Sequence, residues 1–153
     1  MERAPLTLLN LCTSLQYIKS ESQDTSVLKY EELKNDTGEI LLCYEVDHIQ
    51  GGSIEPDRDR FLGNLLFAGR KPPKISNASA EETEEKKLVS LPQGNYLFMQ
   101  CRSDAVLTPD EWLDLAIEQQ KDALWERNKP LNLLYVRFLF EDGAFVTQVF
   151  RAV

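Results

Sequence analysis

The sequence predicts an α+β protein in which a long helix packs on one face of an antiparallel sheet. Three observations predict this class: a strand-like alternation at residues 95–102, a complete helix start at residues 107–112, and an Asp142-Gly143 pair between two β-rich runs. Read in chain order, these features predict a β-α-β-β unit over residues 88–153.

The first predicted strand follows a Pro/Gly-containing turn at residues 91–94. Because side chains alternate between the faces of a strand, residues 95–102 divide into two sets. Leu97, Met99 and Cys101 are predicted to face the helix. The other face carries Tyr96, Phe98, Gln100 and Arg102.

The helix start is marked by capping residues. Thr108 is the predicted N-cap, Pro109 occupies the first helical position, and Glu111 completes a capping box. Apolar residues then recur at helical spacing, so we predict one long helix over residues 109–127.

The Asp142-Gly143 pair predicts a two-residue type I′ hairpin turn, because both positions tolerate positive φ. This turn fixes the register of the flanking strands. One face is predicted to be dry and to pack against the helix, with the pairs Phe140/Phe145, Phe138/Thr147 and Val136/Val149. The other face carries Leu139/Val146, Arg137/Gln148 and Tyr135/Phe150.

The N-terminal half, residues 1–70, is predicted to be strand-rich. Residues 6–18 could form one strand or a short helix, residues 27–33 and 39–48 suggest a second hairpin, and residues 61–67 suggest another strand. Residues 71–87 contain a Pro-Pro pair and a glutamate-rich run, which predicts a charged, mobile connector within a single domain of 153 residues.

Composition narrows the function classes. The 17 Lys and Arg against 25 Asp and Glu give a net charge of −8, which argues against direct nucleic-acid binding. No apolar run is long enough for a membrane span, and the N-terminus does not resemble a secretory signal. Three separated cysteines outside any CxxC pattern fit a cytoplasmic protein. With His48 as the only histidine, we predict no metal site and no cofactor.

The candidate site is the face of the predicted C-terminal sheet that lies opposite the helix and carries more polar side chains. Aromatic rings with a few convergent polar groups are typical of small-molecule pockets. The alternative is that this face covers a second layer or a dimer partner. The candidate ligand-binding residues are Tyr96, Phe98, Gln100, Tyr135, Arg137, Gln148 and Phe150.

The Pro-x-Gly-x-Tyr motif at residues 92–96, followed by a helix containing Trp112 and then a hairpin, resembles the second half of GyrI-like small-molecule-binding domains. The resemblance covers residues 91–153. It implies two tandem β-α-β-β halves forming a curved sheet with a ligand groove between them. That family includes effector-binding parts of transcription regulators as well as stand-alone proteins.

Two departures from the family affect the expected ligand and partners. The family often places a glutamate in the groove to meet cationic drugs, whereas residues 131–140 contain Arg137 and no acid. An anionic or neutral ligand is therefore as much expected as a cationic one. The helix-turn-helix of the regulators is also absent, in agreement with the acidic charge.

The sequence therefore predicts a non-enzymatic, stand-alone module that encloses an apolar or aromatic small molecule, with Arg137 orienting a polar or anionic group. One alternative is a protein-interaction or dimerisation domain without a ligand. Another is a small hydrolase or isomerase that uses His48 or a groove carboxylate, although no enzyme signature is found.

Overall fold

A computed structural model of the chain describes residues 2–20, 30, 33–34, 38–46, 64–71, 87–120 and 131–153. Within those residues it contains nine strands and one helix longer than two residues. The elements are β1 (Glu2–Arg3), β2 (Thr7–Leu11), β3 (Leu15–Lys19), β4 (Glu39–Glu45), β5 (Leu65–Lys71), β6 (Leu88–Leu91), β7 (Gly94–Ser103), α1 (Pro109–Gln120), β8 (Leu133–Glu141) and β9 (Ala144–Ala152).

All nine strands belong to one sheet, in the order β1-β7-β9-β8-β4-β5-β3-β6, with β2 also paired to β7. Every pairing is antiparallel. The strand order repeats along the chain: β5 lies between β3 and β4, and β9 lies between β7 and β8. The two triplets meet where β4 pairs with β8.

The sheet curves into a half-barrel around one of its faces. The ring of Tyr135 on β8 lies 6.5 Å from Phe67 on β5 and 6.0 Å from Tyr96 on β7. Each of those strands is two positions away from β8, a separation of about 10 Å on a flat sheet. The rings converge because the sheet bends toward them. We call this side the inner face, and the side that carries α1 the outer face.

The outer face holds the larger apolar core. The indole of Trp112 lies 5.3 Å from the ring of Tyr44. Gln119 fastens α1 to the sheet, because its buried Nε2 donates to the carbonyl oxygens of Leu97 (3.4 Å) and Val149 (3.0 Å). The residues of this core include Ile40, Leu42, Met99, Cys101, Leu113, Ala116, Ile117, Val136, Phe138 and Val149.

Two local predictions for the C-terminal half, the hairpin turn and the helix cap, are confirmed. Asp142 and Gly143 have φ values of 52° and 79°, and the strand pairs occur in the predicted register. A glycine suits the second position because its φ disfavours a side chain. The capping box is also present: Thr108 N donates to Glu111 Oε1 (3.0 Å) and Glu111 N donates to Thr108 Oγ1 (3.4 Å).

The helix is shorter than predicted. It spans 12 residues, Pro109–Gln120, instead of the five turns expected for residues 109–127, and residues 121–130 lie outside the described part of the chain. A helix of this length measures about 18 Å, enough to cross the neighbouring strands that it contacts.

The predicted hairpin between residues 27–33 and 39–48 is wrong. Strand β4 has β5 on one edge and β8 on the other, so no edge remains for residues 27–33. Of that segment the structure describes Tyr30, in a turn, and Leu33, in helical conformation. The turn-like composition between the two segments predicted that they pair with each other. Strands more distant in sequence, β5 and β8, occupy both edges of β4 instead.

Residues 91–94 were predicted to form a turn, but the chain does not reverse there. It leaves β6 briefly and continues in the same direction as β7. Leu91 pairs with Leu15 and Gly94 pairs with Leu11, so β6 and β7 run the same way along β3 and β2. Residues 6–18 likewise contain two strands, β2 and β3, instead of one element.

Two further predictions fall partly outside the described residues. The strand expected at 61–67 is observed as β5, Leu65–Lys71, and residues 61–63 are not described. Of the predicted connector 71–87, only its two end residues are described. Across the described ranges, no helix has the length and apolar character needed to cross a membrane.

Candidate functional site

Aromatic side chains form the floor of the inner face. The ring of Tyr96 lies 5.6 Å from that of Phe150, edge to face, and 6.0 Å from that of Tyr135. The ring of Phe98 lies 5.0 Å from that of Phe150. Edge-to-face packing of this kind is favourable for aromatic rings. These four predicted site residues therefore make one continuous aromatic surface across β8, β9 and β7.

Polar side chains form a line beside this floor. Arg137 on β8 is opposite Gln148 on β9, which is opposite Gln100 on β7. Arg137 Nη1 donates to Gln148 Oε1 (2.9 Å), and Gln148 Nε2 donates to Gln100 Oε1 (2.8 Å). The structure thus brings all seven predicted site residues onto the inner face.

Three residues that the sequence analysis missed extend this line across β4, β5 and β3. Glu39 Oε1 accepts hydrogen bonds from Arg137 Nε (2.5 Å) and from the Tyr17 hydroxyl (2.8 Å). Glu39 Oε2 lies 3.4 Å from Lys71 Nζ. The carboxylate is therefore the junction of the network, which we call the Glu39–Arg137 network: Tyr17, Glu39, Lys71, Gln100, Arg137 and Gln148.

The missing residues could not be found without the strand order. Glu39 and Arg137 are 98 residues apart in sequence. Glu39 begins β4, where it shares the inner face with Leu41 and Cys43, and the wrong hairpin partner concealed that β4 adjoins β8. The one local signal was a charged residue directly before the largely apolar run Ile40–Tyr44 of β4.

The charges of the network hold one another in the ionised state. Burial alone would raise the pKa of Glu39, but the hydrogen bond and charge of Arg137, with contributions from Tyr17 and Lys71, bring that pKa below its ordinary value. For Arg137, burial acts to lower the pKa, and the contacts with Glu39 and Tyr17 more than offset it, so the pKa is raised.

Burial also raises the pKa of Tyr17, and the neighbouring charge of Glu39 raises it further. The Tyr17 phenol therefore remains a hydrogen-bond donor to the carboxylate throughout the neutral range. This donor fixes one lone pair of Glu39 Oε1, so the orientation of the carboxylate does not depend on Arg137 alone.

Gly69 on β5 makes room for Tyr17. A Cβ at position 69 would lie 2.8 Å from the Cβ of Tyr17 and 2.9 Å from Cγ2 of Val89. Real Cβ atoms do not approach this closely, so any larger residue would push Tyr17 away. Gly69 is thus required for the hydroxyl of Tyr17 to reach Glu39.

The predicted site residues differ in their exposure. Tyr96, Tyr135 and Phe150 are only 3%, 4% and 2% exposed, so they pack mainly against protein. The Tyr96 hydroxyl donates to the carbonyl oxygen of Pro92 (2.5 Å), which gives the tyrosine of the Pro-x-Gly-x-Tyr motif a structural role. The partly exposed members are Phe98, Gln100, Arg137 and Gln148.

Among the described residues, the other sequence candidates do not take part in this network. His48 lies outside the described residues. Of the cysteines, Cys43 is buried on the inner face, and burial raises its pKa to about 12, so its thiol stays protonated at neutral pH. Among the residues that the structure describes, no group of three or more His, Cys, Asp or Glu side chains is placed to hold a metal ion.

The sequence matches no protein-family model, and no curated protein is significantly similar to it. By its fold and its inner face, this protein is a curved antiparallel sheet with a charged network on the concave side.

Proposed function

We propose that this chain is a non-enzymatic small-molecule-binding module, which takes an apolar or aromatic ligand on the inner face. Arg137 orients a polar or anionic group of the ligand. The aromatic floor supplies apolar contact area, and the polar line supplies a few fixed hydrogen-bonding groups, which is the usual division of labour in ligand sites. The resemblance to GyrI-like domains is part of this proposal, and the repeated strand order supports it.

The observation that carries the proposal is the fixed position of a partly exposed arginine beside aromatic rings. The Arg137 side chain is 18% exposed and is held from both sides, by Glu39 and by Gln148. These two hydrogen bonds use two of the five N–H groups of the guanidinium. A preorganised donor loses little side-chain entropy when it meets a ligand, which favours binding.

The same geometry disfavours an enzyme that uses Glu39 as general base. A general base works best when its pKa lies near the operating pH, and the pKa of Glu39 is lowered. Both of its oxygens also accept hydrogen bonds or ion-pair contacts from neighbours. Glu39 is better suited to positioning Arg137 than to removing a proton.

A panel of several hundred small molecules of mixed charge, screened by thermal unfolding, tests the proposal. A ligand that binds only the folded chain raises the midpoint, with a stabilisation of about 2.7 kcal/mol at a hundredfold excess over its Kd. We expect hits of one chemical class that disappear in Arg137→Met.

Arg70→Met is the matched control for this screen. Arg70 is an exposed arginine on β5, opposite Ile40 of the outer core, so the substitution removes the same charge from the other face of the sheet. Hits should survive this control. A panel without hits, or hits that survive Arg137→Met, would count against the proposal.

A second candidate function is an interaction or dimerisation domain, favoured by two exposed leucines. Leu8 on β2 and Leu88 on β6 are 52% and 50% exposed. Within the described part of the chain, β2 pairs only with β7 and β6 pairs only with β3. Unpaired strand edges with apolar side chains are common sites of association. Sedimentation over a hundredfold range of protein concentration tests it, since a constant monomer mass would exclude self-association.

A further inference from the structure

The charges that meet in the Glu39–Arg137 network do not cancel. Two cations, Arg137 and Lys71, contact one carboxylate, Glu39. The contacting groups thus carry one surplus positive charge, although the whole chain carries −8. A local positive surplus attracts an anionic group and repels a cationic one.

Glu39 is poorly placed to receive a cation. Its Oε1 accepts from Tyr17 and Arg137, and its Oε2 contacts Lys71. A cationic ligand would have to displace one of these partners and would then lie next to the remaining positive charges. Like charges at such short range are unfavourable.

Lys71 and Arg137 are, by contrast, suited to receive an anion. The Lys71 side chain is 41% exposed, and its 3.4 Å distance to Glu39 is long for a charge-assisted hydrogen bond. Lys71 can therefore turn toward an incoming anion, while Glu39 keeps its hydrogen bonds from Arg137 and Tyr17. Arg137 can add a hydrogen bond to that anion while it keeps its contacts with Glu39 and Gln148.

We infer that the ligand is an aromatic monoanion, such as an aryl carboxylate, whose charged group contacts Arg137 and Lys71 and whose ring lies on the Phe98 side of the inner face. The inference rests on the proposed function and specifies its ligand class. Phe98 is the partly exposed ring of the aromatic floor, and it lies two residues along β7 from Gln100, which ends the polar line.

Three compounds with the same ring system and different charges test the inference by calorimetric titration of the full chain. The compounds are 2-naphthoate, 2-naphthalenemethanol and 2-naphthylmethylammonium. We expect 2-naphthoate to bind about tenfold more tightly than the alcohol, because its hydrogen bonds are charge-assisted. The ammonium compound should bind most weakly.

Single substitutions identify which residue recognises the negative charge of the ligand. Lys71→Met should weaken 2-naphthoate several-fold and leave the alcohol unchanged, while Arg70→Met should change neither. Lys71 is partly exposed, so its replacement should not unfold the chain, and the melting temperature of each variant checks this.

The outcomes separate the inference from the proposed function. Equal affinity for all three compounds, or tightest binding of the ammonium compound, overturns the charge inference and leaves the binding module in place. Naphthoate binding that is indifferent to Lys71→Met also overturns it. If none of the three binds while the wider panel gives hits, the inference fails alone; if the panel is empty as well, both fail.

Discussion

The two faces of the sheet are built from the same strands and differ in what covers them. The outer face carries α1 and the larger apolar core, with Gln119 as one of its few buried polar side chains. The inner face carries an aromatic floor and a hydrogen-bonded network of charged and amide groups. Because alternate residues of one strand serve the two faces, a single sequence encodes a stabilising surface and a recognition surface at once. Substitutions on the two faces should therefore have separable effects.

The largest effect is expected on the outer face. Trp112→Ala removes a fully buried indole and should lower the free energy of unfolding by about 3–5 kcal/mol. Phe98→Ala on the inner face should cost less, because Phe98 is only partly buried. Urea denaturation measures both, and equal losses would contradict the assignment of stability mainly to the outer face.

Gly69→Ala should disturb the packing of the inner face around Tyr17. The added methyl would meet Tyr17 and Val89 at under 3 Å, so we expect destabilisation of about 1–3 kcal/mol. The combination with Tyr17→Gly should recover part of this loss, since it removes the Cβ of residue 17 and with it one of the two clashes. Urea denaturation of the two single variants and the double variant checks the coupling. Additive losses would show that Gly69 does not act through Tyr17.

Removal of the central carboxylate should have a similar or smaller effect. Glu39→Gln leaves Arg137 with a neutral partner, and we expect a loss of about 1.5–3 kcal/mol, the range for hydrogen bonds to charged groups. A double-mutant cycle with Arg137→Met isolates the pair from its surroundings. A coupling energy near zero would mean that the 2.5 Å contact contributes nothing to folding.

The pH dependence of stability should report on Glu39, and therefore on the inner face. The pKa of Glu39 is below its ordinary value of 4.5, so the unfolded chain binds the proton more tightly. The stabilisation from this group is present above about pH 4.5 and is lost as pH falls through the lower folded-state pKa. The stability difference between the natural chain and Glu39→Gln should therefore shrink between pH 5 and pH 3, about the window that linkage predicts. A constant difference would contradict an ionised Glu39 at the network.

The smallest effect is expected at the helix start. Thr108→Ala removes one half of the capping box and should cost about 1 kcal/mol. Since Thr108 is exposed and belongs to the connection before α1, ligand affinity should not change. Chemical denaturation and a titration with the best panel compound check both parts, and a changed affinity would link α1 to the inner face.

The sequence predicted those parts of the fold that depend on neighbouring residues. The Asp142-Gly143 turn determines a register over eight residue pairs of β8 and β9. Thr108 with Glu111 determines where α1 begins, and both signals act within a few residues. The alternation of Tyr96 and Phe98 against Met99 and Cys101 also followed from the period of a strand.

The rest depends on pairings between distant segments, which a local pattern does not contain. Glu39 meets Arg137 because β4 adjoins β8, and Tyr17 meets Glu39 because Gly69 lets β3 approach closely. Seven site residues could therefore be placed on one face, whereas the acid that positions Arg137 could not be found.

The central claim is that the inner face is the binding surface and that the strand edges at Leu8 and Leu88 are not. The most direct measurement is a titration of the isotope-labelled chain with the strongest panel compound, followed by amide and side-chain chemical shifts in NMR spectra. The account predicts that the largest changes fall at Phe98, Gln100, Arg137 and Gln148, and that they are lost in Arg137→Met. Changes centred on Leu8 and Leu88, with the inner face unaffected, would contradict it.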